Sequence, residues 1–230
     1  MSDPLDNPVW HALTGMQAHL AVGSGRARHY PRDMVPFSAI DSATPEAYSD
    51  LAASLPPGTE ARLFRLAEEP LPSGWDAIKA FPMLQMVLPK NTPQIANSYP
   101  VPDDLGDIDV VAAQELVRAS DPGPFGPRTL RFGGFIGHRE GGKLVAMAGE
   151  RMQLPGYTEL SAICTHPDAR GRGHAARLTR CLMNRVIDRG ELPFLHVRTD
   201  NPALELYRRL GFVERREIWV LWRKPKAAWG

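Results

Sequence analysis

Six consecutive residues have the types and spacing of a phosphate-binding turn: Arg170, Gly171, Arg172, Gly173, His174 and Ala175. An apolar stretch, residues 160–164, comes before them, and an amphipathic stretch, residues 175–187, follows. This order predicts a strand, a glycine turn and the start of a helix, where backbone N–H groups lack intrahelical partners and can bind a pyrophosphate. The first chemistry to expect of this chain is therefore the binding of a cofactor that carries phosphates.

Two nucleotide-binding motifs share features with this turn. A Walker A loop requires Gly-x-x-x-x-Gly-Lys-Ser/Thr, and the chain has neither a second glycine at that spacing nor the lysine. A dinucleotide fingerprint fits Gly171-x-Gly173-x-x-Ala176, with Glu191 and Asp200 downstream as candidate ribose ligands. Only about thirty residues follow Asp200, too few for the strand and helix units that this fold adds after its glycine turn. A hydride-transfer enzyme is kept as an alternative class.

Two motifs in the second half of the chain resemble the signatures of the GNAT acetyltransferase superfamily. Residues 166–175 are similar to its acyl-CoA-binding motif, an Arg/Gln-x-x-Gly-x-Gly/Ala turn preceded by an acidic residue and commonly by a proline. Residues 206–212 are similar to its second signature, in which Leu-Tyr is followed three residues later by Gly-Phe. One predicted helix and one predicted strand separate the motifs. The resemblance covers residues 105–224 and implies acetyl-CoA as co-substrate.

The resemblance implies where coenzyme A binds. The N–H groups of residues 170–175 would hold its pyrophosphate with help from the helix dipole. The strand before the turn, around Ile163, Cys164 and Thr165, would part from its neighbour and hydrogen-bond the peptide-like pantetheine arm. One N–H group of that strand would also polarise the thioester carbonyl.

The resemblance implies roles for three further positions. Tyr207 matches the tyrosine that in GNAT enzymes usually lies at the coenzyme A site and protonates the departing CoA thiolate. A phenol suits this task because it is neutral at pH 7 and holds a transferable proton. Glu159 matches the glutamate that removes a proton from the attacking amine, directly or through water. Both residues also have a structural interpretation: Tyr207 as a core tyrosine packed beside Phe212, and Glu159 as a solvated carboxylate. Relatives often have asparagine where this chain has Asp200, so we expect Asn201 to make that pantetheine contact.

The elements that position these residues are predicted from the hydrophobic pattern after residue 105. They are a helix at 108–119, a hairpin of strands 132–138 and 144–153 around the turn 140–143, a strand at 158–165, a helix at 171–189, a strand at 194–197, a helix at 202–210 and a closing strand at 217–223. This order predicts a mixed sheet with helices packed on it, an α/β (α+β) architecture. The resemblance specifies the GNAT acyl-CoA N-acyltransferase fold.

The first hundred residues are rich in proline and carry short elements. The pattern predicts a helix from Thr44-Pro45 to Ser54, strands at 62–66 and 84–88, a short helix at 74–80 and a linker at 90–104. The chain is thus divided into an N-terminal region, residues 1–100, and a GNAT acetyltransferase domain, residues 101–230. By analogy with glycine N-acyltransferases, the N-terminal region is interpreted as a degenerate GNAT-like half, with the acceptor pocket between the halves.

Composition and charge limit the classes of protein. With 43% apolar residues the chain can build a core, while no apolar run approaches the ~18 residues of a membrane span and the N-terminus does not resemble a signal peptide. We therefore expect a cytoplasmic protein without a membrane partner. Residues 166–230 contain 14 Lys and Arg against 7 Asp and Glu, which favours an anionic partner. Because these basic residues are spread over several elements, we expect no nucleic-acid partner.

Metal and disulfide chemistry are not indicated. Two cysteines and seven histidines lack the spacing of a zinc site or a disulfide framework, so no metal is expected. Cys164 and Cys181 are interpreted as small buried residues. Trp219 and Trp222 are interpreted as core side chains of the final strand. If the chain self-associates, a homodimer is the commonest form.

These expectations together describe an N-acetyltransferase. An amine would attack the thioester of bound acetyl-CoA directly, within a ternary complex. The expected acceptor is a primary amine of a small molecule or of an amino-acid derivative. Acetylation of a protein or peptide amine, and a non-catalytic acyl-CoA-binding module, are the alternatives.

Overall fold

The computed structural model describes residues 3–93 and 101–226. The strands assigned in these ranges are β1 (Ala27–His29), β2 (Phe37–Ile40), β3 (Ala61–Arg65), β4 (Trp75–Val87), β5 (Asp103–Asp104), β6 (Ile136–Glu140), β7 (Lys143–Leu154), β8 (Tyr157–Thr165), β9 (Leu192–Val197) and β10 (Val213–Pro225). The α-helices are α1 (Pro8–Leu13), α2 (Pro45–Ser54), α3 (Val110–Ser120), α4 (His174–Asp188) and α5 (Leu204–Arg209). Residues 94–100 of the predicted linker lie outside the described ranges.

All of these strands join one mixed sheet, in the order β1-β2-β3-β10-β4-β9-β8-β7-β6-β5. β8 and β9 run parallel, as do β2 and β3, and the other neighbours are antiparallel. A parallel pair needs a crossover connection, and α4 supplies it between β8 and β9. The expected mixed α/β architecture is confirmed.

The strand β4 lies inside the sheet although it belongs to the N-terminal region. It pairs with β10 over its whole length and with β9 from Leu84 to Val87. The predicted boundary at residue 100 therefore runs through one continuous sheet, and the GNAT-like nature of residues 1–100 stays a prediction. The short helix predicted at 74–80 is wrong: this segment begins β4, because pairing along β10 outweighs a weak local helix preference.

Elements with strong local signals lie where the sequence pattern predicts them. α2 begins after Thr44, whose Oγ1 accepts a hydrogen bond from the Ala47 N–H at 3.3 Å. β6 and β7 form the predicted hairpin. α4 is followed by Gly190, which has the left-handed backbone of a helix C-terminus, with φ of 79°. The structure adds α1, β1 and β2, which were not predicted.

One core joins the two regions of the chain. Leu5 and Tyr30 of the N-terminal region pack in the same buried cluster as Phe135 and Met152 of the second half. A separate buried cluster holds the apolar face of α4 together with Tyr207. Within residues 3–93 and 101–226, no helix has the combined length and apolarity needed to cross a membrane.

Candidate active site

A cleft opens where β8 and β9 part. The two strands pair only from Tyr157 with Leu192 to Glu159 with Phe194, and their remaining residues face the cleft. The cleft has a volume of about 1300 Å³, which exceeds the usual range for small-molecule sites. We call the gap between the parted strands the wedge. The cleft as a whole has the room for an extended ligand and a second molecule beside it.

A β-bulge in β8 forms one side of the wedge. Met147 pairs with Cys164 and Gly149 with Ser161, so one residue of β7 opposes two residues of β8. Ala162 takes a left-handed backbone, with φ of 52°, a conformation that is strained for a non-glycine residue. The predicted pantetheine-binding residues Ile163, Cys164 and Thr165 follow this bulge and line the cleft. Backbone groups outside the ladder are free to bind amides of a ligand, as an open sheet edge does.

The glycine turn stands at the mouth of the wedge. Gly171 and Gly173 have φ of 76° and 79°, a backbone that glycine adopts without strain, and α4 begins directly after them. No hydrogen bond joins the N–H groups of residues 171–176 to any other residue in the described ranges. These groups and the positive end of the α4 dipole are available to an anion, and pyrophosphate binding at residues 170–175 stays a prediction.

The side chains of the turn have different surroundings. Arg170 lines the cleft, whereas Arg172 is held by Glu140 at 2.7 Å and by the Asp168 carbonyl at 3.0 Å. His174 is buried in the first turn of α4, and burial lowers the pKa of its imidazole. Arg172 is thus paired at the protein surface, and the lowered pKa of His174 disfavours its charged form.

His138, Glu140 and His174 are the one group of potential metal ligands in the described ranges, with ligand atoms within 4.8 Å of one another. The two imidazole rings stack at 4.6 Å with 27° between their planes. Their in-plane lone pairs therefore run side by side and do not converge on one point, and Glu140 is already bound by Arg172. We assign no metal to this group.

Tyr207 of α5 lies on the cleft wall with only 7% of its surface exposed. Burial raises the pKa of its phenol to about 12, and the neighbouring Cys164 thiol, whose own pKa burial raises to about 11, adds to the effect. The ring packs edge-on against Phe212, as the structural alternative expects. The hydroxyl makes no hydrogen bond to a side chain or backbone group among residues 3–93 and 101–226, so its proton is available to a ligand.

Glu159 does not line the cleft, contrary to expectation. Its side chain is fully buried, and Arg151 binds both carboxylate oxygens at 2.7 Å while His196 Nδ1 lies 2.8 Å away. Burial alone would raise the pKa of this carboxyl, but Arg151 and then His196 outweigh it and lower the pKa to about 2. A carboxylate so placed has neither the access nor the basicity to take a proton from an amine directly.

His196 and Arg151, which sequence reasoning missed, stand between Glu159 and the cleft. The Gln85 amide donates to the Leu5 carbonyl at 2.9 Å and accepts from Arg215 at 2.8 Å, which fixes its orientation. Its Nε2 therefore donates to His196 Nε2 at 3.0 Å, and the imidazole proton must be on Nδ1, facing Glu159. Both ring nitrogens of His196 are thus hydrogen-bonded within the protein. Only the β7–β8 and β4–β9 pairings bring these groups together.

Asp200 and Asn201 both line the cleft in the loop after β9. The carboxylate of Asp200 is occupied by Arg198 at 2.9 and 2.8 Å. Asn201 Oδ1 accepts from the Ala203 N–H at 2.9 Å, and its Nδ2 has no partner in the described part of the chain. The geometry leaves Asn201 Nδ2 available as a donor to a ligand, and its contact with pantetheine stays a prediction.

The cysteines and tryptophans differ in part from expectation. Cys164 and Cys181 are free thiols, and Cys164 is buried while Cys181 is half-buried. Trp219 packs partly buried against an apolar cluster, and Trp222 packs partly buried against the main core cluster, as expected, while it also lines the cleft.

A wedge between parted parallel strands, with free N–H groups at its mouth and a phenol at its side, is the site of an acyl-CoA-dependent transferase. Comparison with known proteins agrees. The model of the FR47-like protein family matches residues 135–220. A crystal structure of a GNAT-family protein from Novosphingobium aromaticivorans DSM 12444 is 38% identical, with a TM-score of 0.89, over 98% of this chain and 100% of that chain. The chain belongs to the GNAT family of acetyltransferases.

More distant structures share the fold. A GCN5-related N-acetyltransferase from Sphaerobacter thermophilus is 16% identical, with a TM-score of 0.53, over 82% of this chain and 71% of that chain. A GNAT-family acetyltransferase from Colwellia psychrerythraea is 14% identical, with a TM-score of 0.52, over 86% and 80%. No curated protein gives a significant match. Family membership supports acyl transfer from a CoA thioester to an amine.

Proposed function

We propose that this chain transfers an acetyl group from acetyl-CoA to a primary amine of a small molecule, by direct attack within a ternary complex. One observation carries the proposal. The row of unpaired N–H groups at residues 171–176, the bulged strand β8 and the hydroxyl of Tyr207 border the same cleft. An extended thioester with a pyrophosphate at one end fits that sequence of groups.

Coenzyme A would be held mainly by backbone groups. The N-terminus of α4 would receive the pyrophosphate, with Arg170 adding a positive charge at the cleft wall. The backbone groups of Ile163 to Thr165 that face away from β7 would hydrogen-bond the amides of pantetheine, and Asn201 Nδ2 would add a donor. Because these donors are already in place, little ordering is needed on binding.

The acyl transfer would use two preorganised groups. A backbone N–H of the bulged segment would donate to the thioester oxygen as negative charge develops there. As the amine nitrogen forms the C–N bond and the C–S bond breaks, Tyr207 would give its proton to the leaving sulfur. The proton that the nitrogen loses would return to Tyr207 through water, which leaves the enzyme unchanged.

The amine must be uncharged when it attacks. We propose that partial desolvation inside the cleft lowers the pKa of the bound ammonium so that water can remove its proton. Glu159 would then be a positioning residue, since it holds Arg151 and His196 at the wall. Its proposed contribution is the orientation of these side chains and not proton transfer.

The test combines binding with turnover. Calorimetry with acetyl-CoA and with NAD should show binding of acetyl-CoA alone, and release of the CoA thiol should depend on an added amine. Preferential binding of NAD would refute the assignment. Tight binding of acetyl-CoA without transfer to any amine in a broad panel would instead indicate a non-catalytic acyl-CoA-binding module.

A further inference from the structure

The side of the cleft formed by β2, β3, β4 and β10 is lined by rings and cations. We call this side the acceptor wall; it consists of Phe37, Arg62, Phe64, Lys79, Phe81 and Trp222. Four of these six residues are aromatic, and together they offer flat apolar surface to whatever occupies the cleft beside the thioester. A ligand with an apolar body, above all a ring, would gain most from contact with such a surface.

A cation stands against the aromatic surface at several points. The Arg62 guanidinium lies 3.7 Å from the centre of the Trp222 ring, and Lys79 Nζ lies 5.1 Å from that of Phe81. Arg151, which joins the wall from β7, lies 4.7 Å from the ring of Phe37. The acceptor wall therefore combines apolar surface with positive charge.

The acids that balance this charge are placed away from the ligand. Arg62 pairs with Glu60 at 2.7 Å and Arg151 with Glu159, and neither carboxylate is part of the cleft wall. Lys79 is exposed and has no acidic partner within residues 3–93 and 101–226. The acceptor wall therefore presents a net positive charge to a ligand in the cleft.

Hydrogen-bond donors also exceed acceptors at this wall. Trp222 Nε1 is buried without a hydrogen-bond partner in the described ranges. The aspartates that do border the cleft, Asp121 and Asp200, lie in loops after α3 and β9, outside the acceptor wall.

From this charge and shape we infer that the acceptor is an amino acid with an aromatic or large apolar side chain. The inference rests on the proposed function and adds the class of its amine substrate. The carboxylate would pair with Lys79 and Arg62, the side chain would lie on the rings, and the amine would face the thioester. Polyamines and lysine-rich peptides carry several positive charges, so like-charge repulsion at this wall disfavours them.

The experiment compares acceptors that differ in one feature. Thiol release from acetyl-CoA is measured with L-phenylalanine, with phenethylamine, which lacks the carboxylate, and with L-alanine, which lacks the ring. Spermidine and a lysine-rich peptide complete the panel. We expect kcat/KM for phenylalanine to exceed that for each of the others by on the order of tenfold or more, the effect of one charge-assisted contact or one buried ring. Equal or faster use of phenethylamine, spermidine or the peptide would overturn the inference.

Variants connect the preference to the acceptor wall. In Lys79→Gln, the ratio of kcat/KM for phenylalanine to that for phenethylamine should fall about tenfold, because only one of the two acceptors has the carboxylate. Lys90→Gln changes an exposed lysine outside the cleft and should keep the wild-type ratio. An unchanged ratio in Lys79→Gln would contradict the role given to Lys79.

Failure of this inference can be told apart from failure of the proposed function. Acetylation of amines without any preference for the carboxylate refutes the acceptor class and leaves the transferase. Binding of acetyl-CoA with no transfer to any of the five acceptors, confirmed by mass spectrometry of the products, refutes both.

Discussion

Replacement of Tyr207 by phenylalanine removes one hydroxyl and keeps the ring. The ring retains its edge contact with Phe212, whose centre lies 6.2 Å away. Because the hydroxyl has no partner among the described residues, none is left unpaired by its loss. We therefore expect the free energy of unfolding to change by less than about 1 kcal/mol and the Kd of acetyl-CoA to change less than about twofold.

The loss should appear in the chemical step. General acid catalysis contributes roughly 10²- to 10⁴-fold, which corresponds to about 3 to 5 kcal/mol in the activation free energy. We expect kcat of Tyr207→Phe to fall by at least about a hundredfold, and kcat/KM to fall in parallel, since the interaction is made only in the transition state. Thiol release at saturating acetyl-CoA and calorimetric Kd values separate this loss from weaker binding.

The raised pKa adds a second readout. Because burial raises the pKa of Tyr207 to about 12, the phenol keeps its proton well above neutral pH, and this group should cause no alkaline decline of kcat below about pH 10. Tyr157→Phe, at the start of β8 outside the cleft, is the matched control and should keep wild-type turnover. A kcat for Tyr207→Phe within threefold of wild type would mean that water or another acid protonates the thiolate.

Three further predictions concern the turn and the buried ion pair. Gly171→Ala forces a side chain into a left-handed backbone and should raise the Kd of acetyl-CoA on the order of tenfold. Gly156→Ala, in the β7–β8 turn, has the same strain at φ of 80° and should leave that Kd unchanged. Equal effects of the two substitutions would refute the role of the glycine turn in binding. Glu159→Gln leaves the Arg151 guanidinium without its counter-charge, so the free energy of unfolding, measured in urea, should fall by about 3–5 kcal/mol. A fall below about 1 kcal/mol would show that the Arg151–Glu159 ion pair is not needed for stability. The pKa of Glu159 falls from an ordinary 4.5 to about 2 on folding, so the stabilisation from its ionised form is complete above about pH 4.5 and is lost as the pH falls towards 2. Wild type should therefore lose on the order of 3 kcal/mol more than Glu159→Gln across that interval, and parallel pH profiles would contradict the lowered pKa.

The second half of the chain could be predicted largely from its sequence. Glycine turns, helix caps and apolar spacing are local signals, and they predicted the β6–β7 hairpin, β8, α4, β9, α5 and β10 to within a few residues. These local signals succeed because each depends on contacts between residues a few positions apart. Coenzyme A was implied by the resemblance of the glycine turn and of the Tyr207 segment to the GNAT signatures, whereas the residue types of the turn alone predicted only a ligand that carries phosphates.

The N-terminal region could not be predicted in the same way. Residues 74–80 have no strong strand pattern, and they become β4 because β10, which lies more than 130 residues later in the sequence, offers a partner. Strand pairing at such a distance depends on the whole sheet and leaves little trace in local composition. For the same reason, the domain boundary inferred from a proline-rich stretch does not separate two sheets.

The sequence by itself determined that a phosphate-binding turn is followed by a helix, a strand and a tyrosine, since these are properties of neighbouring residues. Only the tertiary structure decided what lies around them. Pairing of β7 with β8 and of β4 with β9 buries Glu159 between Arg151 and His196, so a carboxylate that the resemblance offers as a base is held away from the cleft. The order β2-β3-β10-β4 assembles the acceptor wall from segments that lie far apart in the chain. Long-range pairing sets which side chains meet, and no local pattern contains that information.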